Sequence, residues 1–289
     1  MNEVLEKETL APGLVLLRIR APEVALKAKP GQFVIVRTDE FAERIPLSLA
    51  DWDKESVTTI VQDVGVSTRK LCALEKGETV LNLAGPLGAP SKIEKYGTVA
   101  IVSGCFGSGP GYALARALKD AGNRIVYIVE ARNKDWTFWL DKIESVSDRL
   151  VVTSNDGSTD ACNANGPLEE ILGSERIDRV YAIGCTFMMM EISGVTKPFG
   201  MTTRVSLMPL MVDGTGMCGA CRCSIEGKVK FGCVDGPEFD GHKVDWSLLI
   251  ERMRGYLDEE TTALDLWDRE NWHKALDRKM NPSASHHFR

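Results

Sequence analysis

Four side chains near the C-terminus have the spacing of iron–sulfur ligands. Asp213, Cys218, Cys221 and Cys233 lie in the segment MVDGTGMCGACRC…KVKFGC. Four residues separate Asp213 from Cys218, two separate Cys218 from Cys221, and eleven separate Cys221 from Cys233. Plant-type [2Fe-2S] loops place cysteines at C-x4-C-x2-C with a distant fourth cysteine. The spacing therefore predicts a [2Fe-2S] cluster with Asp213 in the first position. A carboxylate has the same charge as a thiolate and can ligate iron, but it is a harder ligand.

Cys223 leaves other interpretations of this loop open. Cys218, Cys221, Cys223 and Cys233 form an all-cysteine set, and four cysteines could equally hold a structural zinc ion. The thiols could also be reduced and packed as small apolar groups. Gly214, Gly216 and Gly219 allow the backbone to wrap closely around a cluster. The spacing favours the iron–sulfur interpretation over zinc, and zinc over simple packing.

Composition places the chain among globular proteins of two or three small domains. It has 289 residues, 44% hydrophobic and 26% charged, with a net charge of -6, which gives no electrostatic reason to expect nucleic acid. The acidic start is not typical of a signal peptide, and no apolar run reaches the roughly 18 residues of a membrane span. Eight cysteines without a secretory signal favour reduced thiols or metal ligands in the cytoplasm. Only four histidines are present, so a multi-histidine metal centre is not expected.

Apolar runs divide the chain into two larger segments. Residues 1–96 contain short runs rich in Val, Leu, Ile and Thr, such as GLVLLRIRA, GQFVIVRT and SVTTIVQDV. Turn residues separate these runs, which predicts a small antiparallel β-barrel. Residues 97–211 alternate five apolar strands with four helical segments, among them KDWTFWLDKIESVS and TFMMMEISGV. This alternation predicts a parallel doubly wound sheet, with Met188, Met189 and Met190 packed in its core.

The remaining residues are predicted as a small cluster domain and a helical extension. Residues 212–245 hold the cysteine loop and a hairpin, CSIEGKVKFG, which turns at Glu226-Gly227. Residues 246–289 are predicted as one or two helices, followed by a loose tail, KMNPSASHHFR.

The second segment has features of a nucleotide site. Gly104, Gly107 and Gly109 surround its first strand-to-helix turn, where backbone N–H groups and a helix N-terminus could approach a pyrophosphate. The strict G-x-G-x-x-G pattern is absent, so these glycines could instead serve tight packing. The second strand ends in Glu130, a carboxylate that favours NAD(H), although Arg132 and Lys134 nearby could suit a 2′-phosphate. The fourth strand ends in Gly184-Cys185, at the edge where ligands bind such sheets.

Two short stretches of the first segment could contact a cofactor. RIPLSL contains Arg44, Pro46, Leu47 and Ser48. The hydroxyl of Ser48 could reach a flavin ring, although a lone Ser in a strand is usually structural. GVSTRKL places Gly65, Ser67 and Thr68 before a predicted helix, which makes a second candidate phosphate site.

The order of the segments resembles the ferredoxin-reductase superfamily with a C-terminal cluster. Within it the chain is similar to electron-transfer subunits of NAD-linked dihydroorotate dehydrogenases and to small subunits of NADH-dependent ferredoxin:NADP oxidoreductases. The stretches ERIPLSLAD, VDGTGMCGACRC and FGCVDGPEFDGHKVDWSLL carry the resemblance, which covers residues 1 to about 260. Asp213 favours the second group, because the dihydroorotate group has Cys at that position.

The resemblance implies FAD, NAD(H) and [2Fe-2S] as cofactors. It implies that Pro46, Leu47 and Ser48 contact the flavin and that a phosphate site includes Gly65, Ser67 and Thr68. It places the glycines from Gly104 to Gly109 against NAD(H), with Gly184 and Cys185 near the reactive end of the nicotinamide. Two spellings depart from the superfamily: Ile45 stands where its phosphate-binding Arg is usual, with Arg44 one step earlier, and SGCFGSGP replaces GGGxGxAP.

The resemblance also implies a partner and a reaction type. The partner is a large flavoprotein subunit with iron–sulfur clusters, or a subunit with an FMN-binding β/α barrel if the chain serves dihydroorotate dehydrogenase. No catalytic acid or base is expected, because the cofactors carry the chemistry. A function of a different class is a zinc-stabilised nucleotide-binding regulator without redox activity.

Overall fold

The first part of the chain folds into a nearly closed antiparallel barrel. The computed structural model describes residues 2–159 and 161–280, with side chains described as far as residue 271. The barrel strands are β1 (Asn2–Ala11), β2 (Leu14–Arg20), β3 (Phe33–Arg37), β4 (Ile45–Trp52), β5 (Ser56–Gln62), β6 (Thr79–Val80) and β7 (Asn82–Leu87). They pair in the order β6-β1-β2-β5-β4-β3-β7, and α1 (Pro22–Ala25) and α2 (Val66–Ala73) lie in the connections. The predicted barrel is therefore confirmed.

Side-chain alternation explains this barrel. Val4, Leu17, Val34, Leu49 and Val57 are fully buried in one apolar core inside it. Strand β1 was not among the apolar runs that the sequence indicated, because its outward positions carry Glu and Lys and only Val4 and Ala11 are buried.

The second part is a parallel sheet covered by helices on both faces. Strands β8 (Thr98–Gly104), β9 (Arg124–Ala131), β10 (Arg149–Ser154), β11 (Arg179–Ile183) and β12 (Thr203–Ser206) pair in parallel in the order β10-β9-β8-β11-β12. The helices are α3 (Ser108–Asp120), α4 (Leu140–Ser145), α5 (Asn165–Ser174) and α6 (Thr186–Thr196). Two apolar cores, one on each face, take alternate residues of the strands. The five predicted parallel strands are confirmed, and so are the core positions of Met188 and Met189, whereas Met190 is only half-buried.

Two details of this sheet differ from the prediction. The helix predicted over residues 134–147 is shorter: Trp139 has a φ of 55°, and only Leu140–Ser145 is α-helical. A sixth strand, which we number β15 (Glu238–Asp240), joins the sheet antiparallel to β12. Its three residues carry no periodic signal, and it comes from the segment that follows the cysteine loop.

The C-terminal part contains the predicted hairpin and two helices. Strands β13 (Arg222–Ile225) and β14 (Lys228–Phe231) pair antiparallel, and Glu226 and Gly227 both have positive φ in the turn, as expected. Helices α7 (Trp246–Met253) and α8 (Leu257–Met280) follow. The predicted loose tail falls largely on residues 281–289, which lie outside the described residues. The exact domain divisions at 96/97, 211/212 and 245/246 stay a prediction.

No helix within residues 2–159 and 161–280 combines the length and apolar character that crossing a bilayer requires.

Candidate functional site

The four predicted cluster ligands lie together as two pairs. Cys218 Sγ is 3.2 Å from Asp213 Oδ1, and Cys221 Sγ is 3.1 Å from Cys233 Sγ. Among the residues that the structure describes, no three His, Cys, Asp or Glu side chains converge on a single-ion site. Each iron of a binuclear cluster takes two protein ligands beside its bridging sulfides, so two pairs suit such a centre.

The two pairs differ in their surroundings. Cys221 and Cys233 are buried, whereas Cys218 is exposed. Burial, together with the neighbouring Cys221, raises the pKa of Cys233 to about 12. Burial opposes ionisation of Asp213, but hydrogen bonds from the Cys218 thiol and from the Thr215 hydroxyl and N–H outweigh it and lower the pKa of Asp213 to about 2. The carboxylate is therefore ionised at neutral pH, while the Cys233 thiol needs a bound metal cation to lose its proton.

Cys223 is separated from this set. It lies in the core of the parallel sheet, with Val205 and Phe239, while Cys221 and Cys233 pack with Phe33 in another apolar cluster. Its thiol donates to the Cys221 carbonyl oxygen at 3.4 Å, and burial raises its pKa to about 11. This position opposes the all-cysteine ligand set, because the side chains of Cys221 and Cys223 belong to different cores.

A cavity of about 270 Å³ lies between the barrel, the start of α3 and the chain after β12. Pro46, Leu47 and Ser48, predicted from the sequence, line it together with residues that the sequence did not indicate. These are Phe33, Ile60, Gln62, Val64, Phe106, Pro110, Ser206, Leu207, Met208, Pro209, Met211 and Pro237. The apolar stretch after the last parallel strand, LMPLM, was the available signal for part of this wall. The cavity is lined by apolar side chains and a few polar groups, which is typical of a cofactor pocket.

The cavity touches the apolar cluster that holds the buried cysteine pair. Phe33 and Met211 line the cavity and also pack with Cys221 and Cys233. The wall of the cavity and the surroundings of the cysteine pair therefore share these two side chains.

The turn before α2 is open, as a phosphate site requires. A Cβ at Gly65 would meet no atom within 4 Å. Thr68 Oγ1 accepts the N–H groups of Val64 and Gly65, each at 3.0 Å, and so fixes the backbone of this turn. Ser67 donates its hydroxyl to Glu43 at 3.0 Å. Arg44, next to Glu43, is exposed immediately before β4.

The glycines before α3 are packed against protein. A Cβ at Gly107 would overlap the carbonyl oxygen of Ile183. A Cβ at Gly109 would lie 2.7 Å from Ala50 Cβ and 2.8 Å from Ile60 Cγ1, both on barrel strands. Close packing therefore explains these two glycines without a nucleotide.

Gly104 and Gly184 meet at the same edge of the sheet. A Cβ at Gly104 would lie 2.8 Å from Met188 Sδ, and one at Gly184 would lie 3.0 Å from the Gly104 nitrogen. Cys185 is exposed at the start of α6, and its Sγ accepts the Met188 N–H at 3.5 Å. The three predicted positions thus border one patch at the carboxyl edge of the strands, where ligands bind such sheets.

Glu130 has a structural partner at the same edge. Its carboxylate accepts the N–H of Ala164, immediately before α5, at 2.8 Å. Burial raises the pKa of Glu130, and the negative charge of Glu191 raises it further. The hydrogen bond from Ala164 lowers the pKa but does not outweigh these two effects. The guanidinium of Arg132 lies 4.4 Å from the centroid of the Trp136 ring. Glu130 therefore caps a helix, and any contact with a ribose would be additional to that role.

Three comparisons with known proteins agree with this architecture. The model of the iron–sulfur cluster binding domain of dihydroorotate dehydrogenase B matches residues 209–245. A Thermotoga maritima protein described as a dihydroorotate dehydrogenase B (NAD(+)) electron transfer subunit homolog is 40% identical over 267 residues, covering 92% of this chain and 95% of the relative. A probable electron transfer subunit of the same enzyme from Pyrococcus horikoshii is 35% identical over 246 residues, covering 84% and 92%.

A solved structure is also similar. One chain of the NADH-dependent reduced ferredoxin-NADP oxidoreductase, studied for flavin-based electron bifurcation, is 41% identical and superposes with a TM-score of 0.87. The match covers 92% of this chain and 98% of that chain. On the identity and coverage of these relatives, the chain belongs to the family of dihydroorotate dehydrogenase B electron-transfer subunits and their homologues.

Proposed function

We propose that this chain is an electron-transfer flavoprotein subunit that moves electrons between NAD(H), FAD and a [2Fe-2S] cluster. The observation that carries the proposal is the contact between cavity and cysteines: Phe33 and Met211 line the cavity and pack against Cys221 and Cys233. A cofactor in the cavity and a cluster on the loop would thus be near neighbours.

The cluster would be held by Asp213, Cys218, Cys221 and Cys233. Two ligand pairs, at 3.2 Å and 3.1 Å, support a binuclear centre, and the Asp213 carboxylate is already ionised. Gly214, Gly216 and Gly219 all have positive φ, which bends the loop around the space between the pairs. Cys223 would have no part in ligation.

The flavin would occupy the cavity, with Pro46, Leu47 and Ser48 along one wall. Gly65 and the start of α2 would take the pyrophosphate, with Ser67 and Thr68 shaping that turn and Arg44 exposed nearby. When bound, FAD supplies the exchange between two-electron hydride chemistry and one-electron transfer. The chain itself positions the ring and shields it from water with side chains such as Phe106 and Met211.

NAD(H) would lie at the carboxyl edge of the parallel sheet. The backbone of the turn that contains Gly104, Gly107 and Gly109 would border its pyrophosphate, although the missing side chains of Gly107 and Gly109 face protein. Gly184 and Cys185 would border its nicotinamide, while Glu130 would favour NAD(H) over NADP(H). Glu130 keeps one carboxylate oxygen beyond the bond to Ala164, which is the group we assign to the ribose.

The partner would be a large flavoprotein subunit with iron–sulfur clusters. The 41% identity to a chain of an NADH-dependent reduced ferredoxin-NADP oxidoreductase supports this choice. A second candidate is electron delivery to a dihydroorotate dehydrogenase subunit, which the match of residues 209–245 favours. A catalytic partner that co-purifies with this chain would decide between them.

The cluster assignment is tested by replacing Cys221 or Cys223 with Ser in the whole chain. We expect Cys221→Ser to lose most of the iron and the visible iron–sulfur absorbance, because it removes a ligand from the buried pair. Cys223→Ser is the matched control and should keep both the iron content and the reduced-state EPR signal. Loss of the cluster in Cys223→Ser would contradict the assignment, as would a colourless wild-type protein that binds zinc.

A further inference from the structure

Helix α8 lies against α2, the short helix whose N-terminus forms part of the proposed pyrophosphate site. The carboxylate of Asp268 bonds to the guanidinium of Arg69 on α2. The Lys70 ammonium, also on α2, lies 5.5 Å from the centroid of the Trp267 ring. The C-terminal extension therefore contacts both charged residues of α2, Arg69 and Lys70.

Each of these two cations also binds a loop of the barrel. Arg69 Nε donates to Asp63 Oδ1 at 3.1 Å, in the turn between β5 and α2. Lys70 Nζ donates to Asp39 Oδ2 at 3.0 Å, in the turn after β3. Helix α8 is thus joined, through α2, to the two barrel turns that flank the phosphate site.

Helix α2 is also anchored to the barrel through Leu71, which packs in the barrel core, and through Ser67, which donates to Glu43. It has eight residues, of which only Ser67 and Leu71 are buried, and isolated helices of this length are marginal in water. An anion binds to first-turn N–H groups most tightly when they are already fixed, because otherwise the binding energy must order the segment. Contacts that fix α2 should therefore raise the affinity of its N-terminus for a phosphate.

We infer that helix α8 braces helix α2 and thereby retains FAD, with Trp267 and Asp268 as positioning residues. This inference rests on the proposed flavin site at the start of α2. It gives the C-terminal extension a role that its own sequence, exposed along most of α8, does not reveal.

The test measures FAD affinity of full-length apoprotein by flavin fluorescence. Asp268→Ala should weaken FAD binding about threefold, the effect of one partly exposed ion pair. The double variant with Trp267→Ala should weaken it about tenfold, since the contact with Lys70 is lost as well. Asp268→Glu should recover most of the affinity. Asp265→Ala, an exposed residue of the same helix with the same charge change, is the matched control and should bind as the wild type does.

A second readout follows from reciprocity. If the contact of α8 with α2 strengthens FAD binding, then bound FAD must stabilise that contact by the same free energy. Added FAD should therefore slow amide hydrogen exchange over residues 257–271. Equal FAD affinities in Asp268→Ala and Asp265→Ala, or unchanged exchange in α8, would overturn the brace. Failure of the wild-type chain to bind FAD would overturn the proposed function itself, which keeps the two results distinct.

Discussion

Two strand-to-helix turns of this chain invite the same interpretation and have different surroundings. At the start of α2, a Cβ on Gly65 would point into open space. Before α3, a Cβ on Gly107 or Gly109 would run into Ile183 or into the barrel strands. Both turns are glycine-bearing helix starts, yet only at Gly65 is the space where a side chain would stand open.

The two turns differ in what occupies the space where a side chain would stand. Gly109 lets α3 approach Ala50 and Ile60, so that the nucleotide-binding part and the barrel meet without a gap. Gly65 lies in extended backbone, with a φ of -167° that any residue adopts, and it touches no neighbour. Packing therefore explains Gly109, whereas Gly65 is the N-cap of α2, a position that favours glycine over alanine, and the open space beside it is where we propose that the ligand binds.

The largest expected effect is on folding. Gly107→Ala should lower the free energy of unfolding by about 3 kcal/mol, because the new methyl group meets a backbone carbonyl that cannot rotate away. Urea denaturation of the apoprotein measures this loss. Gly65→Ala is the control and should lower the same quantity by no more than about 1 kcal/mol, the cost of alanine at the N-cap of α2. A well-folded Gly107→Ala protein of wild-type stability would remove the contrast between the two turns.

An intermediate effect is expected on flavin binding. Gly65→Ala should weaken FAD binding about tenfold, or about 1.4 kcal/mol, because its methyl group fills the space beside the first N–H groups of α2. Titration of the apoprotein with FAD measures the change. If the variant binds FAD as tightly as the wild type does, the pyrophosphate lies elsewhere and the open space at Gly65 has no role.

The smallest effect is expected at Glu130, beside the packed turn. Glu130→Gln should reduce the preference for NADH over NADPH about fivefold, or about 1 kcal/mol, since it removes a charge that repels a 2′-phosphate. Rates of flavin reduction by the two cofactors, in the chain freed of any partner that binds NADPH, measure the preference. An unchanged ratio would mean that Glu130 serves only as the cap of α5.

The pH dependence of the same variant gives an independent check. Burial raises the folded-state pKa of Glu130 above the usual 4.5, so its contribution to stability is complete below pH 4.5 and is lost as the pH rises through the raised value. Gln does not titrate in this range. The stability of Glu130→Gln relative to the wild type should therefore rise from pH 4.5 through the raised pKa and then stay level. A relative stability that falls with pH would show that the carboxylate is stabilised by its surroundings.

Much of the fold was predictable because it depends on local patterns. The apolar runs of β2, β3 and β5 and the alternation of β8 to β12 with helices are periodic over several residues, and the Glu226-Gly227 turn has a strong local preference. The short strand β15 was missed, since three residues have no period and only pairing with β12 makes them a strand.

The candidate site was predictable to a smaller extent. Spacing brought Asp213, Cys218, Cys221 and Cys233 to notice, and the structure brings them together in two pairs. The other walls of the cavity, such as Phe106 and Met211, were not indicated, because apolar residues in turns look the same whether they face a ligand or a core. The packing role of Gly109 was equally hidden, since its neighbours are 49 and 59 residues away.

By itself the sequence determined the order of the barrel, the parallel sheet and the cysteine loop, together with the ligand spacing. These are properties of nearest neighbours along the chain, where side-chain period and residue type decide the local backbone. Only the tertiary structure decided that Gly65 borders open space while Gly109 is packed against the barrel, that Cys223 belongs to a different core from Cys221, and that α8 reaches back to α2. Those facts depend on contacts between distant segments, and the directions in which side chains point across such contacts are fixed only when the cores are packed.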